Sequence, residues 1–482
     1  MCGIVAATAK RDVVDILMSG LQALEYRGYD SAGLSVFSSG KLNRRRTKGK
    51  VADLRGLLES DPLGGMCGIA HTRWATHGAP STRNAHPMVS GSRVALVHNG
   101  IIENHEALRT ALTDQGYVFD SDTDTEVIVH LVDSLMSEDL DLFGAVQAAV
   151  KQLKGAYAIA AICVDEPGRI VGAREGSPMV LGLGGDEFFL ASDIYPLLPL
   201  TNSFIYLEEG DVVALEQEGY TIRDADGHEA DRPTHEAELS ADSVQRGSHR
   251  HYMLKEIYEQ PQAVEDTLEG RIGPDRVMPN IFGVGAEEIL SAVDHVHMVA
   301  CGTAFHAGLV ARYQLEQLAG IPCTAEVASE YRYRQPVVPP NALFVTVSQS
   351  GETADTLAAL RHAKEAGYLA TLAVCNVPES SIVREADLVL MTRAGPDIGV
   401  ASTKAFTTQL VALDLLVIEL ARLKGLADHA YAASVRELAR LPGVLRDALE
   451  LDHEIAALAE EFADKQHALF LGRGSQIGRA HV

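Results

Sequence analysis

From about residue 285 the sequence repeats one unit: a short apolar run, a loop, then a stretch with helical periodicity. The apolar runs fall at residues 296–300, 343–347, 371–375 and 388–392. Strands separated by helices pair in parallel, because each crossover must return the chain to the same end of the sheet. Residues 285–425 are therefore expected to form an α/β doubly wound sheet with helices on both faces. A helix over residues 403–424 closes the unit at Gly425, and connecting helices are expected over 426–464. A new apolar run at 468–471 resembles the opening of a second such unit, assigned to residues 465–482.

The front of the chain follows another rule. Residues 155–164 and 168–183 read as successive strands separated by polar turns. Two helices interrupt the strands. One spans 104–115 and stops at Gly116; the next begins near Asp122 with Val127, Ile128, Leu131 and Val132 on its apolar face. Strands and helices without strict alternation favour an α+β layered fold for residues 2–235. Residues 224–250 are polar and read as a boundary or flexible linker, with a linker and connecting helix assigned to 236–284.

Charge narrows the partners. The formal net charge of −25 repels phosphate backbones, so no nucleic-acid partner is expected, and the run Arg44–Arg45–Arg46 reads as a solvated turn. The most apolar helix, near residues 410–420, contains Asp414 and Glu419, so no membrane span is expected. No basic segment followed by an apolar run opens the chain, and the six cysteines form no Cys-x-x-Cys pair. Both features point to a cytoplasmic protein without a zinc site or disulfide framework.

The chain opens Met1-Cys2-Gly3-Ile4. Removal of Met1 leaves Cys2 with a free α-amino group beside its own thiol. That amine has a pKa of roughly 7.7–8.0, so it can take the thiol proton and let the thiolate attack a carbonyl carbon. The competing reading is a buried strand cysteine. Other strings bear on the choice: His71-Thr72-Arg73-Trp74-Ala75-Thr76-His77-Gly78, His98-Asn99-Gly100, Asp122-Thr123-Asp124-Thr125-Glu126 and Leu24 through Asp30. An arginine such as Arg73 can clamp an α-carboxylate, and Asp124 can hold an α-ammonium. The Asn99 amide and the Gly100 N–H can stabilise a tetrahedral oxyanion. Each residue also has an ordinary reading: Arg73 and Asp124 as a surface ion pair, Asn99-Gly100 as a hairpin turn, Trp74 as core. Cys67-Gly68-Ile69 echoes Cys2-Gly3-Ile4 but has no free amine, so Cys67 reads as a strand cysteine. His71, His86 and His98 read as structural hydrogen-bonders.

Together these strings resemble the glutaminase domain of class II amidotransferases, which have the N-terminal-nucleophile hydrolase fold. The resemblance implies that Cys2 is the nucleophile and Asn99 and Gly100 the oxyanion pair. It implies that Arg73, Thr76, His77 and Asp124 hold glutamine and that Trp74 borders the ammonia path.

Two loops in the parallel-sheet half follow strands and open helices: Cys301-Gly302-Thr303-Ala304 and Ser348-Gln349-Ser350-Gly351-Glu352-Thr353. Glycine and hydroxyl residues at a helix N-terminus offer donors to a phosphate, or simply cap the helix. The spacing of a P-loop lysine is absent. These loops resemble sugar isomerase (SIS) domains. With residues 252–261, Cys375-Asn376-Val377-Pro378 and 398–410, the longer match resembles the glutamine–fructose-6-phosphate aminotransferase (isomerizing) family over nearly residues 2–474. The resemblance implies fructose 6-phosphate and glutamine as substrates, a homodimer, and no metal, flavin or nucleotide cofactor. It places phosphosugar contacts on Cys301, Gly302, Thr303, Ser348, Gln349, Ser350, Thr353, Val400 and Ser402. Ala304 stands where the family commonly has serine, and the polar insertion at 240–247 is atypical.

After Gly474 the resemblance stops, whereas the family continues into a second SIS domain. The family's Schiff-base lysine and the glutamate and histidine of its isomerisation are therefore expected to lie beyond residue 482; Lys404 and Lys424 do not match them. An unpaired strand at 468–471 is expected to be a disordered or aggregation-prone edge. Two alternatives stay open. Phosphoribosyl- and asparagine-directed amidotransferases share the front half, but need a paired-acid diphosphate loop or a Ser-Gly-Gly ATP loop, and the sequence shows neither. A glutaminase-only fragment or a non-catalytic sugar-phosphate sensor would use the same motifs without completing the reaction.

Overall fold

The structure is a computed structural model that describes residues 2–25, 30–74, 78–137, 140–237, 247–378, 380–399 and 401–467. The expected edge strand at 468–471 lies outside these residues. The chain divides into two compact units, residues 1–245 and 246–482.

The first unit runs β1 (Gly3–Thr8), α1 (Val14–Leu24), β2 (Ser31–Ser38), β3 (Lys41–Lys48), α2 (Val51–Ser60), β4 (Cys67–Arg73), β5 (Met88–Ser90) and β6 (Val94–Ile102). It continues through α3 (His105–Asp114), α4 (Asp124–Met136), α5 (Leu142–Val150), β7 (Gly155–Cys163), β8 (Ile170–Glu175), β9 (Val180–Gly184) and β10 (Glu187–Ala191). It ends with β11 (Ser203–Tyr206), β12 (Val212–Glu216), β13 (Gly219–Arg223) and β14 (Thr234–Glu236). These strands build an eight-stranded sheet in the order β14-β11-β9-β10-β1-β4-β2-β3 and a six-stranded sheet in the order β13-β12-β8-β7-β6-β5.

The pleat explains the layering. In β1, Val5 and Ala7 face the helices α1 and α2 with Leu17, Leu21 and Leu54. The alternate residues Ile4 and Ala6 face the second sheet with Val97, Ala158 and Ala160. The outer face of the second sheet packs Leu96, Ile159 and Val171 against Val127, Ile128 and Val132 of α4. The result is an αββα sandwich whose central strands, such as β1, β6 and β7, are buried on both faces, so their sequences are near-continuous apolar runs.

Two expectations need correction. Arg44, Arg45 and Arg46 are not a solvated turn: they lie in β3, half-buried. The Arg44 side chain donates to the Pro87 carbonyl (3.0 Å) and Arg46 to that of Ala85 (2.7 Å), and burial pushes the Arg46 guanidinium down to about 10. The polar stretch 224–250 is not all linker. Residues 224–230 turn back onto β13, where the Ala230 N–H donates to Ile222, and β14 pairs with β11. Arg232 donates from Nε and Nη2 to Asp211 (2.9 and 2.7 Å), whose carboxylate is fully buried.

The second unit runs α6 (Tyr252–Leu268), α7 (Ala286–Ala292), β15 (His295–Ala300), α8 (Gly302–Gln314), β16 (Cys323–Val327), α9 (Ala328–Tyr331) and β17 (Ala342–Ser348). It continues through α10 (Ala354–Ala366), β18 (Ala370–Cys375), α11 (Ser381–Glu385), β19 (Leu388–Met391), α12 (Lys404–Leu423), α13 (Asp428–Leu449) and α14 (Asp452–Glu460). The four expected strands are β15, β17, β18 and β19. A fifth, β16, was not expected, and it joins the edge beside β15. All pairs are parallel, in the order β16-β15-β17-β18-β19. One face carries α6, α8, α12 and α13 against Val296, Met298, Val345 and Leu372. The other carries α9, α10 and α11 against Val299, Phe344 and Ala373.

Among the described residues no helix is long and apolar enough to cross a membrane. The Asp211–Arg232 pair yields a direct test. Removing the cation strands a buried carboxylate, which typically costs about 3–5 kcal/mol. Arg232→Ala should lower the urea midpoint of the first unit correspondingly, whereas a linker residue would leave it unchanged.

Candidate active site

β1 lies inside its sheet, paired with β10 on one side and β4 on the other. Gly3 is opposite Thr72, so the residue before Gly3 meets the end of β4. There the Cys2 thiol donates to the Trp74 carbonyl (3.5 Å), and the Trp74 N–H donates to Cys2 Sγ (3.3 Å). Burial pushes the thiol up; the Trp74 backbone hydrogen bond and nearby positive charge, Arg73 included, oppose it. The resting thiol therefore holds its proton and needs a base to release it. Cys67, inside β4, is pushed up to about 12 by burial and is chemically quiet. All six cysteines are free.

The second sheet supplies the facing side chain. Asn99 lies in β6, and its Nδ2 donates to the Cys2 carbonyl (3.2 Å). Asn99-Gly100 is not a hairpin turn: both residues lie within β6 opposite β7. Gly100 has φ +128°, and a Cβ there would sit 1.9 Å from the Ala156 carbonyl oxygen. Only glycine fits, and the strained backbone turns locally while the strand continues.

Arg73 and Asp124 are both buried, which removes the surface ion-pair reading. Arg73 Nη2 donates to the Gly78 carbonyl (3.2 Å). Asp124 is the first residue of α4 and accepts the Ile102 N–H (2.9 Å), two residues past Gly100. Trp74 is 42% exposed and is not core. Thr76, His77 and the Tyr26–Tyr29 part of the Leu24–Asp30 string lie outside the described residues.

Sequence reading missed what orients Asn99. His71 Nε2 lies 3.0 Å from both the His98 carbonyl and Asn99 Oδ1. A backbone carbonyl only accepts, so Nε2 carries the proton, and the facing atom of Asn99 must be its oxygen. The Asn99 NH2 is thereby aimed at Cys2. Burial drives the His71 pKa down to about 3, so the ring is neutral, and Nδ1 is buried without a partner among the described residues.

A second chain locks the neighbouring rings. The His98 N–H donates to His86 Nδ1 (3.4 Å), so His86 carries its proton on Nε2 and donates to Thr125 Oγ1 (3.1 Å). The Thr125 hydroxyl then donates to His98 Nδ1 (3.1 Å). His86 is held well below its ordinary pKa by burial, then by its positive-capable neighbours. The three histidines are hydrogen-bonders, as the sequence suggested, and their spacing offered no hint of which groups they join.

In the second unit, the chain reverses winding between β15 and β17: one connects outward to β16, the other outward to β18. Such a switch point opens a crevice at the carboxyl ends of the strands. Ala300 pairs with Val347, so Cys301 and Ser348 leave the sheet side by side. Cys301 and Thr353 are the N-caps of α8 and α10, yet neither makes a side-chain cap hydrogen bond. Ser348 Oγ accepts the Gly351 N–H (3.0 Å) and Ser350 Oγ the Glu352 N–H (3.2 Å), which shapes the loop. Gly351 has φ +66°, and a Cβ there would overlap Ser380 Oγ. Gly302 also has positive φ, +55°, at the start of α8 before Thr303. Gln349 presents its carbonyl to the Cys375 thiol (3.8 Å). Ala304 packs on the apolar core. Ser402 lies just before α12, and Val400 lies outside the described residues. Lys404 donates to Glu259 (2.7 Å) and is buried.

Comparison with known proteins agrees with this division. A glutamine amidotransferase domain profile matches residues 71–199, and a SIS domain profile matches 289–419. Glutamine–fructose-6-phosphate aminotransferase (isomerizing) from Pseudomonas putida is 56% identical over 478 residues, covering 99% of this chain and 78% of that protein. The chain belongs to this family. The Pseudomonas syringae pv. tomato member is 57% identical with the same coverage. The C-terminal domain of glucosamine-fructose-6-phosphate aminotransferase from Francisella tularensis is 47% identical over 49% of this chain and 66% of that one, with a TM-score of 0.48. The α+β front unit is thus a glutaminase-type domain and the α/β unit a SIS domain.

The buried neutral histidines fix a pH response. Unfolded histidine titrates near 6.5, whereas His71 in the fold does so at about 3 and His86 is also well depressed. Their contribution to stability is complete above pH 6.5 and is lost as pH falls below it; for His71 the loss runs down to about 3, at about 1.4 kcal/mol per pH unit. Denaturant titrations of the first unit between pH 7 and 4 should show this slope, and His86→Gln should reduce it.

Proposed function

We propose that the chain hydrolyses glutamine at Cys2 and directs the ammonia to fructose 6-phosphate, the reaction in its relatives' name. The observation that carries this reading is the meeting of the Cys2 thiol, the Trp74 backbone and the Asn99 amide at the end of the sandwich. With Met1 removed, the Cys2 α-amine takes the thiol proton. The thiolate attacks the glutamine side-chain carbonyl, and the carbonyl electron pair moves onto oxygen. Asn99 Nδ2 and the Gly100 N–H receive that oxyanion. Its collapse expels ammonia, which takes the proton back from the amine, and leaves a glutamyl thioester. Water, deprotonated by the same amine, attacks the thioester and frees glutamate and the thiol.

Arg73 is assigned to the glutamine α-carboxylate and Asp124 to its α-ammonium; Thr76 and His77 complete the pocket, and Trp74 borders the ammonia path. For the sugar, the loops at Cys301–Thr303 and Ser348–Thr353 supply N–H and O–H donors to the phosphate and hydroxyls, with Val400 and Ser402 from the segment before α12. The switch-point placement of both loops supports this assignment. A homodimer in the cytoplasm completes the proposal, and sedimentation should give twice the mass of one chain.

A paired assay tests the reading. Purified chain with glutamine and fructose 6-phosphate should release glutamate, and any glucosamine 6-phosphate formed should draw its nitrogen through Cys2. Cys2→Ala should abolish both, and amino sugar formed by Cys2→Ala from fructose 6-phosphate with glutamine as the only nitrogen source would refute the mechanism. Glutamate without amino sugar would restrict the chain to the glutaminase half. His71 acts through Asn99 as a positioning residue. His71→Phe keeps the ring but frees the amide to flip, so kcat for glutamate release should fall by about 10²-fold, toward the cost of losing one oxyanion donor, with little change in KM.

A further inference from the structure

The segment between β19 and α12 closes over the carboxyl ends of β18 and β19 and carries Ser402. Three side chains hold it. Asn376, just after β18, accepts from the Thr392 hydroxyl (3.0 Å) and the Ala394 N–H (2.7 Å) and donates to the Gly395 carbonyl (2.8 Å). Asp397 Oδ2 accepts the Ser402 hydroxyl (3.1 Å), which ties these two residues together. Glu256 reaches in from α6, where Oε1 accepts the N–H groups of both Ile398 (2.6 Å) and Gly399 (2.7 Å).

The arrangement costs stability. Glu256 is 1% exposed and Asp397 9%, and Glu256 Oε2 and Asp397 Oδ1 are buried with no hydrogen-bond partner among the described residues. Burial raises both carboxyls, and the Glu256 charge raises Asp397 further, to about 7. Lys404 opposes this for both but is shared with Glu259. The fit is close: a Cβ on Gly399 would stand 2.5 Å from Glu256 Oε2. A buried half-satisfied carboxylate is a poor choice for packing alone. It makes sense where two adjacent backbone N–H groups must be held in one place.

We propose that Glu256 is a positioning residue for the sugar-phosphate half of the reaction. By gripping the N–H groups of Ile398 and Gly399 it fixes the backbone beside Asp397, which in turn holds the Ser402 hydroxyl toward the phosphosugar. This rests on the sugar-site reading above and adds a residue that lies on a helix outside the phosphate loops.

The test is titration of the 482-residue chain with fructose 6-phosphate by calorimetry, with glutamate release as the control. Absence of binding by the unmodified chain would remove the sugar-site reading itself. Given binding, Glu256→Ala should weaken it by about 10–100-fold, the loss of hydrogen bonds to a charged group. Glu256→Gln keeps a carbonyl oxygen for the two N–H groups and should stay within about threefold of wild type. Gly399→Ala, which removes no hydrogen-bonding atom, should weaken binding as Glu256→Ala does. Glutamate release should be unchanged in all three. Wild-type binding by Glu256→Ala overturns the proposal. If that variant fails to fold, wild-type binding by Gly399→Ala overturns it, and so does a Glu256→Gln variant as impaired as alanine.

Discussion

The first strand is held inside an eight-stranded sheet, and the glutaminase site depends on that placement. A residue near a chain terminus is ordinarily free to fray. Here β1 is hydrogen-bonded along its length to β4 and β10, with Ile4 through Ala7 fully buried, so Cys2 is fixed by its neighbours. The β1–β4 register brings Trp74 to the thiol, and the packing of the two sheets brings Asn99 to the Cys2 carbonyl. On the proposed mechanism Cys2 carries its own base once Met1 is removed, and burying the strand that follows positions the cysteine without covering its amine in the sheet.

The two units solve a shared problem by different means. On the proposed function, each must aim donors at developing or resident negative charge. The first uses an interior strand in which only glycine fits at position 100 and a neutral histidine sets the amide of Asn99. The second uses the geometry of a doubly wound sheet, in which the reversal between β15 and β17 leaves two loops side by side at helix N-termini. In the first, burial does the tuning. It keeps His71 neutral, so that its one N–H serves as a donor, and it raises the thiol of Cys2, so that the nucleophile stays protonated until a base acts.

The strands at 296–300, 343–347 and 371–375 announce themselves as apolar runs, and residue type and spacing single out Cys2, Arg73, Asn99, Gly100 and Asp124 as candidates. β16 was not legible, because Cys323-Thr324-Ala325-Glu326-Val327 has no apolar run and its pairing comes from β15. Nor was the place of Arg232, since a polar stretch looks like a linker until its partner Asp211 is known. His71 and Glu256 were hidden for a similar reason. Their partners lie 28 and 142 residues away, and a hydrogen bond between distant elements leaves no periodic trace.

The central claim, that an anchored Cys2 with its own amine does the chemistry, is tested most directly by covalent trapping. Incubation with a glutamine-shaped diazoketone, followed by peptide mass spectrometry, reports which thiol reacts and what the N-terminus is. The account predicts one adduct per chain, on Cys2, in molecules that begin at Cys2, and little on any that retain Met1. An adduct on Cys67 or Cys301, or equal labelling of chains that keep Met1, would contradict it.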